Sequence, residues 1–271
     1  MANYIIFEGF RMDARTRDML VELRRICEAP VRITQGGFNK GGVTASAGTH
    51  DGGGALDIRA KDLTTAERKE VVRRARQVGF AAWLRTPAQA NWPYHVHMIA
   101  VGCDSLSAGA EKQVVAYHNG KNGLKNNRAD DGDRLYADNT WESYQAQLAA
   151  LKPPKDAPPA KVATGPRVSL KLIAYAANGG YFRSGQIIAR NEATRVAHWL
   201  LDDQKIVTAR DVRVWEAFVR QGNWRSAGLQ YTGMVEKFQA HYGLAVDGDV
   251  GPITKAKFSQ LLTQDNYRVV A

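Results

Sequence analysis

The sequence predicts an α+β protein of two domains, and three observations support this prediction. In roughly the first 150 residues, short strand-like apolar segments alternate with longer segments whose apolar residues recur every three or four positions. After residue 168 only the helical spacing continues. Five of the nine prolines fall in residues 153–166, and proline favours an extended spacer. We therefore predict an N-terminal domain at 1–150, a linker at 151–167 and a C-terminal domain at 168–271.

The N-terminal domain is predicted to have a small, mainly antiparallel sheet with helices packed on it. One edge of this sheet is predicted to carry the functional site. Asp13 can cap a first helix over 12–28, which has apolar residues at helical spacing. Thr64 and Glu67 form a capping box that opens a second helix. The other predicted elements are strands at 31–34, 55–58, 80–84 and 94–101, and helices at 110–118 and 139–151.

The C-terminal domain is predicted to be smaller and mostly α-helical. Near its end one helix should stop at Gly243, and a tight Asp-Gly turn at 247–248 should follow. A new helix should then begin with Pro252 in its first turn. His198 and His241 lie among packing residues, so we interpret both as structural.

Several charged and cysteine residues are interpreted as structural. The arginines at 73–76 are expected on the solvated side of their helix. The aspartates at 130–133 are expected in a solvated loop, because the glutamate that completes a calcium loop is missing. Cys27 and Cys103 have no metal-type spacing, and Cys27 is expected to be a small buried residue.

Two short segments carry the residues that point to chemistry. Within Gly48–Asp57, three glycines separate His50 from Asp57 and allow a sharp turn that brings them together. His95 and His97 lie two apart on a predicted strand and therefore face the same side. Single histidines are usually ordinary surface or core residues, but this combination favours a metal site. Two imidazoles and one carboxylate form a catalytic zinc site with an open position, which leaves one histidine spare.

The same two segments resemble a known family. The octet from His50 to Asp57 fits the His-x-x-Gly-x-Ala-x-Asp pattern of the peptidase M15 group, which comprises D-alanyl-D-alanine carboxypeptidases and related peptidoglycan endopeptidases. His95-Val-His97 resembles the His-x-His that closes the zinc site in some branches. The resemblance covers about residues 30–104. It implies His50, Asp57 and His97 as ligands of one zinc ion and His95 as the catalytic base.

The chain departs from the family pattern at two functional positions. Many members place Glu or Asp three residues before the last histidine, where this chain has Tyr94, so the resemblance leaves His95 as the base. Phe38 and Asn39 stand where the substrate-binding arginine of the family would be. Gln35 could supply an uncharged hydrogen bond to substrate instead.

A second resemblance lies in the C-terminal domain. Val235–Thr254 resembles the peptidoglycan-binding domain built on Phe-Gln, Gly-Leu, Asp-Gly and Gly-Pro-x-Thr. It implies Phe238, Gln239 and Asp247 as residues that bind the wall polymer. Val196–Trp215 is the candidate for the other half of this domain.

Charge and hydropathy narrow the set of partners. The formal net charge is +10, mostly from the second half, and a basic surface favours an anionic cell wall. No dense Lys/Arg cluster or zinc-finger motif is present, so we expect no nucleic-acid partner. No apolar run approaches the roughly 18 residues of a membrane span, so we expect no stable membrane insertion. The N-terminus lacks a basic leader, which favours synthesis in the host cytoplasm without a signal peptide.

Together these features predict a zinc-dependent peptidoglycan peptidase that cleaves the stem or cross-link of the bacterial wall. Residues 113–124 and 141–144 also resemble segments of actinobacterial phage lysins, which implies an endolysin released to the wall through lesions made by a separate protein. We expect it to be a monomer. Two alternatives remain: a D-alanyl-D-alanine carboxypeptidase that trims wall peptides, and a non-catalytic wall-binding virion protein with a vestigial metal site.

Overall fold

A computed structural model describes residues 4–42, 46, 48–151, 163–177 and 187–270. The chain divides into two compact units, residues 1–146 and 147–271. The predicted α+β class is confirmed, because both helices and small sheets are present. Most of the predicted linker, residues 152–162, lies outside the described residues.

The first unit contains six short strands and five helices among its described residues. Its strands are β1 (Ile5–Phe7), β2 (Phe10–Met12), β3 (Ile33–Gln35), β4 (Ala55–Arg59), β5 (Phe80–Arg85) and β6 (His95–Ala100). Its helices are α1 (Ala14–Ile26), α2 (Thr65–Gln77), α3 (Pro87–Ala90), α4 (Ala108–His118) and α5 (Trp141–Ala150), the last of which runs past the boundary between the units. The antiparallel β1–β2 hairpin was not predicted from the sequence.

The helix starts follow local capping, as the sequence predicts. Asp13 is the N-cap of α1 and accepts a hydrogen bond from the Thr16 amide at 2.8 Å. Thr64 and Glu67 form the predicted capping box of α2. These caps satisfy amide groups that have no partner within the helix.

Four strands form the main sheet in the order β3-β4-β6-β5, and every neighbouring pair is antiparallel. The central strands are therefore β4, which carries Asp57, and β6, which carries His97. The prediction that the site lies at a sheet edge is wrong, because these side chains belong to the two central strands.

One face of this sheet changes character along its length. Residues directly opposite on neighbouring strands share a face. At one end this face carries Ala55, Ala81 and Ile99, which lie in register and share a buried cluster with Ala110 and Tyr117 of α4. Beyond them the same face becomes polar and borders a pocket. The helix α4 thus covers the apolar end and lies next to the polar end.

Arg74 and Arg76 of α2 and Asp130 after α4 are buried rather than solvated, whereas Asp131 and Asp133 are exposed as predicted. Arg74 and Arg76 are 6% and 0% exposed. The Arg76 guanidinium donates to the Asp130 carboxylate at 2.7 Å and to the Ala82 carbonyl at 2.7 and 3.0 Å. Asp130 also pairs with Arg134 at 3.0 Å. The solvated interpretation is therefore wrong for these residues, because a buried ion-pair network ties α2 to the loop after α4.

The second unit is mostly helical. Its elements are β7 (Arg167–Ser169), α6 (Leu170–Ala177), α7 (Ile187–Asp202), α8 (Ala209–Arg220), α9 (Trp224–His241), α10 (Pro252–Gln264) and β8 (Arg268–Val270). The core includes Trp199, Trp215 and Phe258, all at most 1% exposed. The predicted end of α9 and the start of α10 at Pro252 are confirmed. The parallel β7–β8 pair was not predicted.

One further expectation about a single side chain is wrong. Cys27 is half-buried rather than buried. His198 and His241, which the sequence predicts to be structural, lie exposed on their helices rather than in the core. His198 instead forms a hydrogen bond with Glu216 at 3.0 Å.

Within the described residues, no helix combines the length and apolar character needed to cross a bilayer.

Candidate metal centre

Strand register brings two of the predicted ligands together. Asp57 on β4 lies directly opposite His97 on β6, and Gln35 on β3 lies directly opposite Asp57. On the other side of His97, Trp83 of β5 is its register partner. These four side chains form a row across one face of the sheet, which we call the metal row.

The third predicted ligand comes from the glycine-rich loop. Backbone hydrogen bonds hold this loop, since the His50 carbonyl accepts from Asn39 N at 2.8 Å and the Ser105 carbonyl accepts from Gly53 N at 2.7 Å. A Cβ at Gly52 would lie 2.3 Å from the Ser105 oxygen, and Gly54 has a φ of +80°. Glycine is required at these positions because the loop packs directly on neighbouring backbone. The glycine-rich loop therefore places the His50 side chain next to the face of the sheet that carries Asp57 and His97.

The three side chains converge into one buried group that could hold a metal ion. One possible ligand atom from each of His50, Asp57 and His97 lies within 4.8 Å of the other two. The Asp57 Oδ1 atom is 2.8 Å from His97 Nδ1 and 3.5 Å from His50 Nε2. The two histidines are 1% and 5% exposed. No other such group of His, Cys, Asp and Glu occurs in the described ranges.

Hydrogen bonds on the far side of each ring determine which nitrogen faces Asp57. His50 Nδ1 lies 3.0 Å from the Gly36 carbonyl, and His97 Nε2 lies 2.7 Å from the Gln113 side-chain oxygen. Carbonyl oxygens only accept, so these nitrogens carry the hydrogens and the opposite nitrogens of the neutral rings present lone pairs. Metal-binding histidines have this arrangement, in which the second nitrogen donates to an oxygen.

The electrostatics of the group also fit a cation. Burial tends to raise the pKa of Asp57, but the two neighbouring imidazoles outweigh burial and hold this pKa well below its usual range, so the carboxylate is ionised. Burial lowers the pKa of His97 despite the nearby carboxylate, which disfavours a second proton on the ring. Two lone pairs and an ionised carboxylate at 2.8–3.5 Å repel each other unless a positive charge lies between them. A metal ion satisfies all three groups.

His95 lies beside the group but not within it. It precedes His97 by two residues on β6 and so faces the same side, about 7 Å further along the strand. Its Nδ1 donates to the Pro93 carbonyl at 2.9 Å, which leaves Nε2 as the acceptor in the neutral ring. The ring is partly exposed and packs edge-on against Trp92. This tautomer suits a group that accepts a proton.

Gln35, Asp57 and His97 of the metal row border a pocket together with His95, and its volume of about 480 Å³ is within the usual range for ligand pockets. Gln35 lines it, as the sequence predicts for a substrate-binding residue, and donates to Ser46 Oγ at 2.9 Å. Tyr94, three residues before His97, stacks under the Arg68 guanidinium at 3.8 Å. The lining consists of Thr34, Gln35, Ser46, Thr49, His50, Asp57, Arg59, Lys61, Arg85, Trp92, Pro93, Tyr94, His95, His97, Gln113, Gly123, Leu124 and Lys125.

Two residues of the centre were missed from the sequence. Gln113 holds the His97 ring, and its own amide donates to the Gly123 carbonyl at 3.0 Å, which orients its oxygen toward the histidine. Trp83 stacks on His97 with ring centroids 6.1 Å apart. Neither residue stands near a ligand in the sequence, so no local pattern could reveal these contacts.

Two of the three residues predicted to bind the wall polymer are buried in the second unit. Phe238 is 0% exposed and stacks on Phe258. Gln239 is 1% exposed; its oxygen accepts from the amides of Asp247 and Gly248, and its amide donates to the Asp247 carboxylate at 2.6 Å. Neither Phe238 nor Gln239 presents its side chain to a polymer, because both hold the loop between α9 and α10. Asp247 is partly exposed but also belongs to this loop network.

The site thus combines a buried three-ligand group, a histidine with a free acceptor nitrogen and an adjoining pocket. Its chemistry must be judged from these residues themselves. Comparisons of the chain with protein-family models, with curated proteins and with solved structures find no match.

Proposed function

We propose that this chain is a zinc-dependent peptidase that hydrolyses a peptide bond in the stem or cross-link of bacterial peptidoglycan. The observation that carries the proposal is the convergence of His50, Asp57 and His97, with both ring orientations held by carbonyl acceptors, at a pocket large enough for a short peptide. A site with two imidazoles and one carboxylate suits zinc and leaves a position open for water. The same ligand set occurs in non-haem iron enzymes, so metal content is part of the test.

The residues of the chain divide the work of hydrolysis. A zinc ion held by His50, Asp57 and His97 would supply an activated water and polarise the scissile carbonyl. His95 accepts the proton of the attacking water on Nε2 and returns it to the leaving amine. The Gly36 carbonyl and Gln113 keep the two ligand rings in place through the reaction. Gln35, beside Asp57, hydrogen-bonds the substrate backbone.

The second unit would retain the enzyme on its insoluble substrate. The sequence pattern from Val235 to Thr254 supports a peptidoglycan-binding module, and its buried Phe238 and Gln239 would maintain the module rather than touch the polymer. Tethering raises the local concentration of the catalytic unit at the wall. With the lysin-like segments, this organisation favours a phage endolysin that is made in the host cytoplasm and acts on the wall.

The test begins with purified full-length protein and bacterial wall preparations. Turbidity should fall, the activity should disappear with a chelator and return with zinc, and metal analysis should find one zinc per chain. Both His50→Ala and Asp57→Ala should abolish activity while circular dichroism shows a retained fold. The matched control is His118→Ala, an exposed histidine outside the pocket, which should leave turbidity clearance unchanged.

Product analysis separates the proposal from its alternatives. Newly separated cross-links or stems support an endopeptidase, whereas release of single alanines supports a trimming carboxypeptidase. Sedimentation with wall fragments without new amine groups supports a non-catalytic wall-binding protein. Iron instead of zinc in active protein would overturn the assigned chemistry, and turnover of His95→Ala within a fewfold of the original would remove His95 as the base.

A further inference from the structure

A second row of side chains runs beside the metal row on the same sheet face. Arg59 of β4 and Arg85 of β5 are both register partners of His95. This row lies about 7 Å from the metal row, since it is two residues further along each strand. Lys61 and Lys125 also line the pocket, and Asp57 is the one acidic residue among the described lining residues. The pocket wall is therefore strongly basic beside the metal ligands.

Within this row, Arg85 is the arginine that forms no salt bridge with a described carboxylate, although Asp57, Asp130 and Asp131 lie near enough to favour its charge. Arg59 pairs with Asp62 at 2.5 Å and is 41% exposed at its side chain. Arg85 is only 2% exposed, and its Nη1 donates to the Asn122 carbonyl at 2.7 Å. Its Nη2 is buried without a hydrogen-bond partner among the described residues. No carboxylate of the described chain forms a salt bridge with it.

The buried Arg76 shows how this fold treats a purely structural guanidinium. Arg76 donates to two backbone carbonyls and to the Asp130 carboxylate, which neutralises its charge. A buried charge without such a partner is costly and is retained where it has a use. Burial lowers the pKa of Arg85 to about 10, so the group is still cationic at neutral pH. The Trp83 ring, 5.0 Å from its guanidinium carbon, adds support for a cation.

We propose that Arg85 anchors a carboxylate-binding subsite in the pocket, so that the substrate carries a carboxylate close to the bond that is cut. A carboxylate is the planar anion that a guanidinium binds with paired hydrogen bonds. The proposal rests on the proposed peptidase function for the nature of the substrate. It also accounts for the uncharged Gln35 in the metal row, because the anion is received one row away by Arg85.

Two sources of this carboxylate are possible in a wall peptide: the free C-terminus of a stem, and an acidic side chain within it. The experiment therefore uses two matched pairs of N-acetylated stem peptides. One pair ends in D-alanyl-D-alanine as the free acid or the amide. The other pair has an internal acidic residue as the carboxylate or the carboxamide. For each peptide, kcat/KM is measured with the zinc-loaded full-length protein, and binding to the metal-free full-length protein is measured by calorimetry.

The wild-type protein should prefer the carboxylate member of one pair by on the order of 10- to 100-fold, as expected for a hydrogen-bonded charge. Arg85→Met should lower the values for that member to those of its amide and leave the amide unchanged. Arg85→Lys should retain part of the preference, because it keeps the charge but loses the paired donors. The matched control is Arg17→Met, which removes the same charge from a partly exposed position on α1 and should preserve the preference.

Three outcomes would overturn the subsite. In the first, the wild-type protein has the same kcat/KM and affinity for both members of each pair. In the second, Arg85→Met keeps the preference for the carboxylate member. In the third, Arg85→Met lowers the values for acid and amide equally. If Arg85→Met does not fold, the subsite is still tested by the acid and amide peptides with the wild-type protein and with Arg85→Lys. Carboxylate-dependent binding without hydrolysis of any peptide would keep the subsite and remove the proposed peptidase function, so the two failures are distinguishable.

Discussion

Replacing Gln113 by leucine tests how the metal centre is positioned. The Gln113 oxygen is 2.7 Å from His97 Nε2, and His97 is only 5% exposed, so the variant leaves a buried ring N–H without an acceptor. Such a loss costs about 1–3 kcal/mol. Loss of the oxygen partner of a ligand histidine typically weakens metal binding about 10- to 100-fold, or about 1.4–2.7 kcal/mol. Because the two ranges agree, we expect zinc affinity to fall by that factor.

The assay is a zinc titration of the folded protein against a chromophoric chelator of known affinity. Gln113→Glu should recover most of the zinc affinity that Gln113→Leu loses, because a carboxylate also accepts a hydrogen bond from the His97 ring. The matched control is Gln145→Leu, at an exposed position of α5, which should leave affinity unchanged. Zinc affinity of Gln113→Leu within twofold of the wild type, with the fold retained, would refute the assignment of the His97 ring orientation.

Three further predictions concern stability and are measured by urea unfolding. Gly52→Ala should destabilise the first unit by about 1–3 kcal/mol, because the added Cβ would lie 2.3 Å from the Ser105 oxygen. Arg76→Met should cost about 3–5 kcal/mol, since it removes a partner of the buried Asp130 carboxylate. Gln239→Leu should destabilise the second unit by at least about 1–3 kcal/mol, because two loop amides lose their acceptor.

Each of these predictions has a control within the chain. Gly233, in the interior of α9, has no atom within 4 Å of an added Cβ, so Gly233→Ala should stabilise by about 0.5–1 kcal/mol. Arg17→Met alters a partly exposed side chain and Gln145→Leu an exposed one, so each should change stability by less than about 0.5 kcal/mol. Unfolding midpoints of the three stability variants equal to that of the wild type would contradict the packing and hydrogen-bond assignments.

Local signals account for what the sequence predicted well. Asp13 and the Thr64–Glu67 box mark helix starts because capping depends on residues at most three apart. The strand that carries His95 and His97 was predicted from its β-branched, apolar character, which is also local. The glycine run before Asp57 indicated a tight loop for the same reason.

Long-range partners explain what was missed. The arginines of α2 carry no sign of their burial, because Asp130 lies 54 positions from Arg76 in the chain. Gln113 contacts His97 from a helix whose own pattern does not mark that residue as special. The burial of Gln239 likewise depends on contacts that local spacing does not encode. The β1–β2 hairpin is a different case, because only Glu8 and Gly9 join its strands and its contacts are local.

By itself, the sequence determined the α+β composition, most helix and strand positions, and the candidate set of His50, Asp57, His95 and His97. It did so because periodicity, capping and turns act over a few residues. Only the tertiary structure decided that the site lies on the central strands and that Gln113 orients His97. It also placed Arg85 in the pocket wall with a buried Nη2 that has no hydrogen-bond partner among the described residues. Those features arise from strand register and helix packing, which place side chains distant in sequence within a few ångströms of each other.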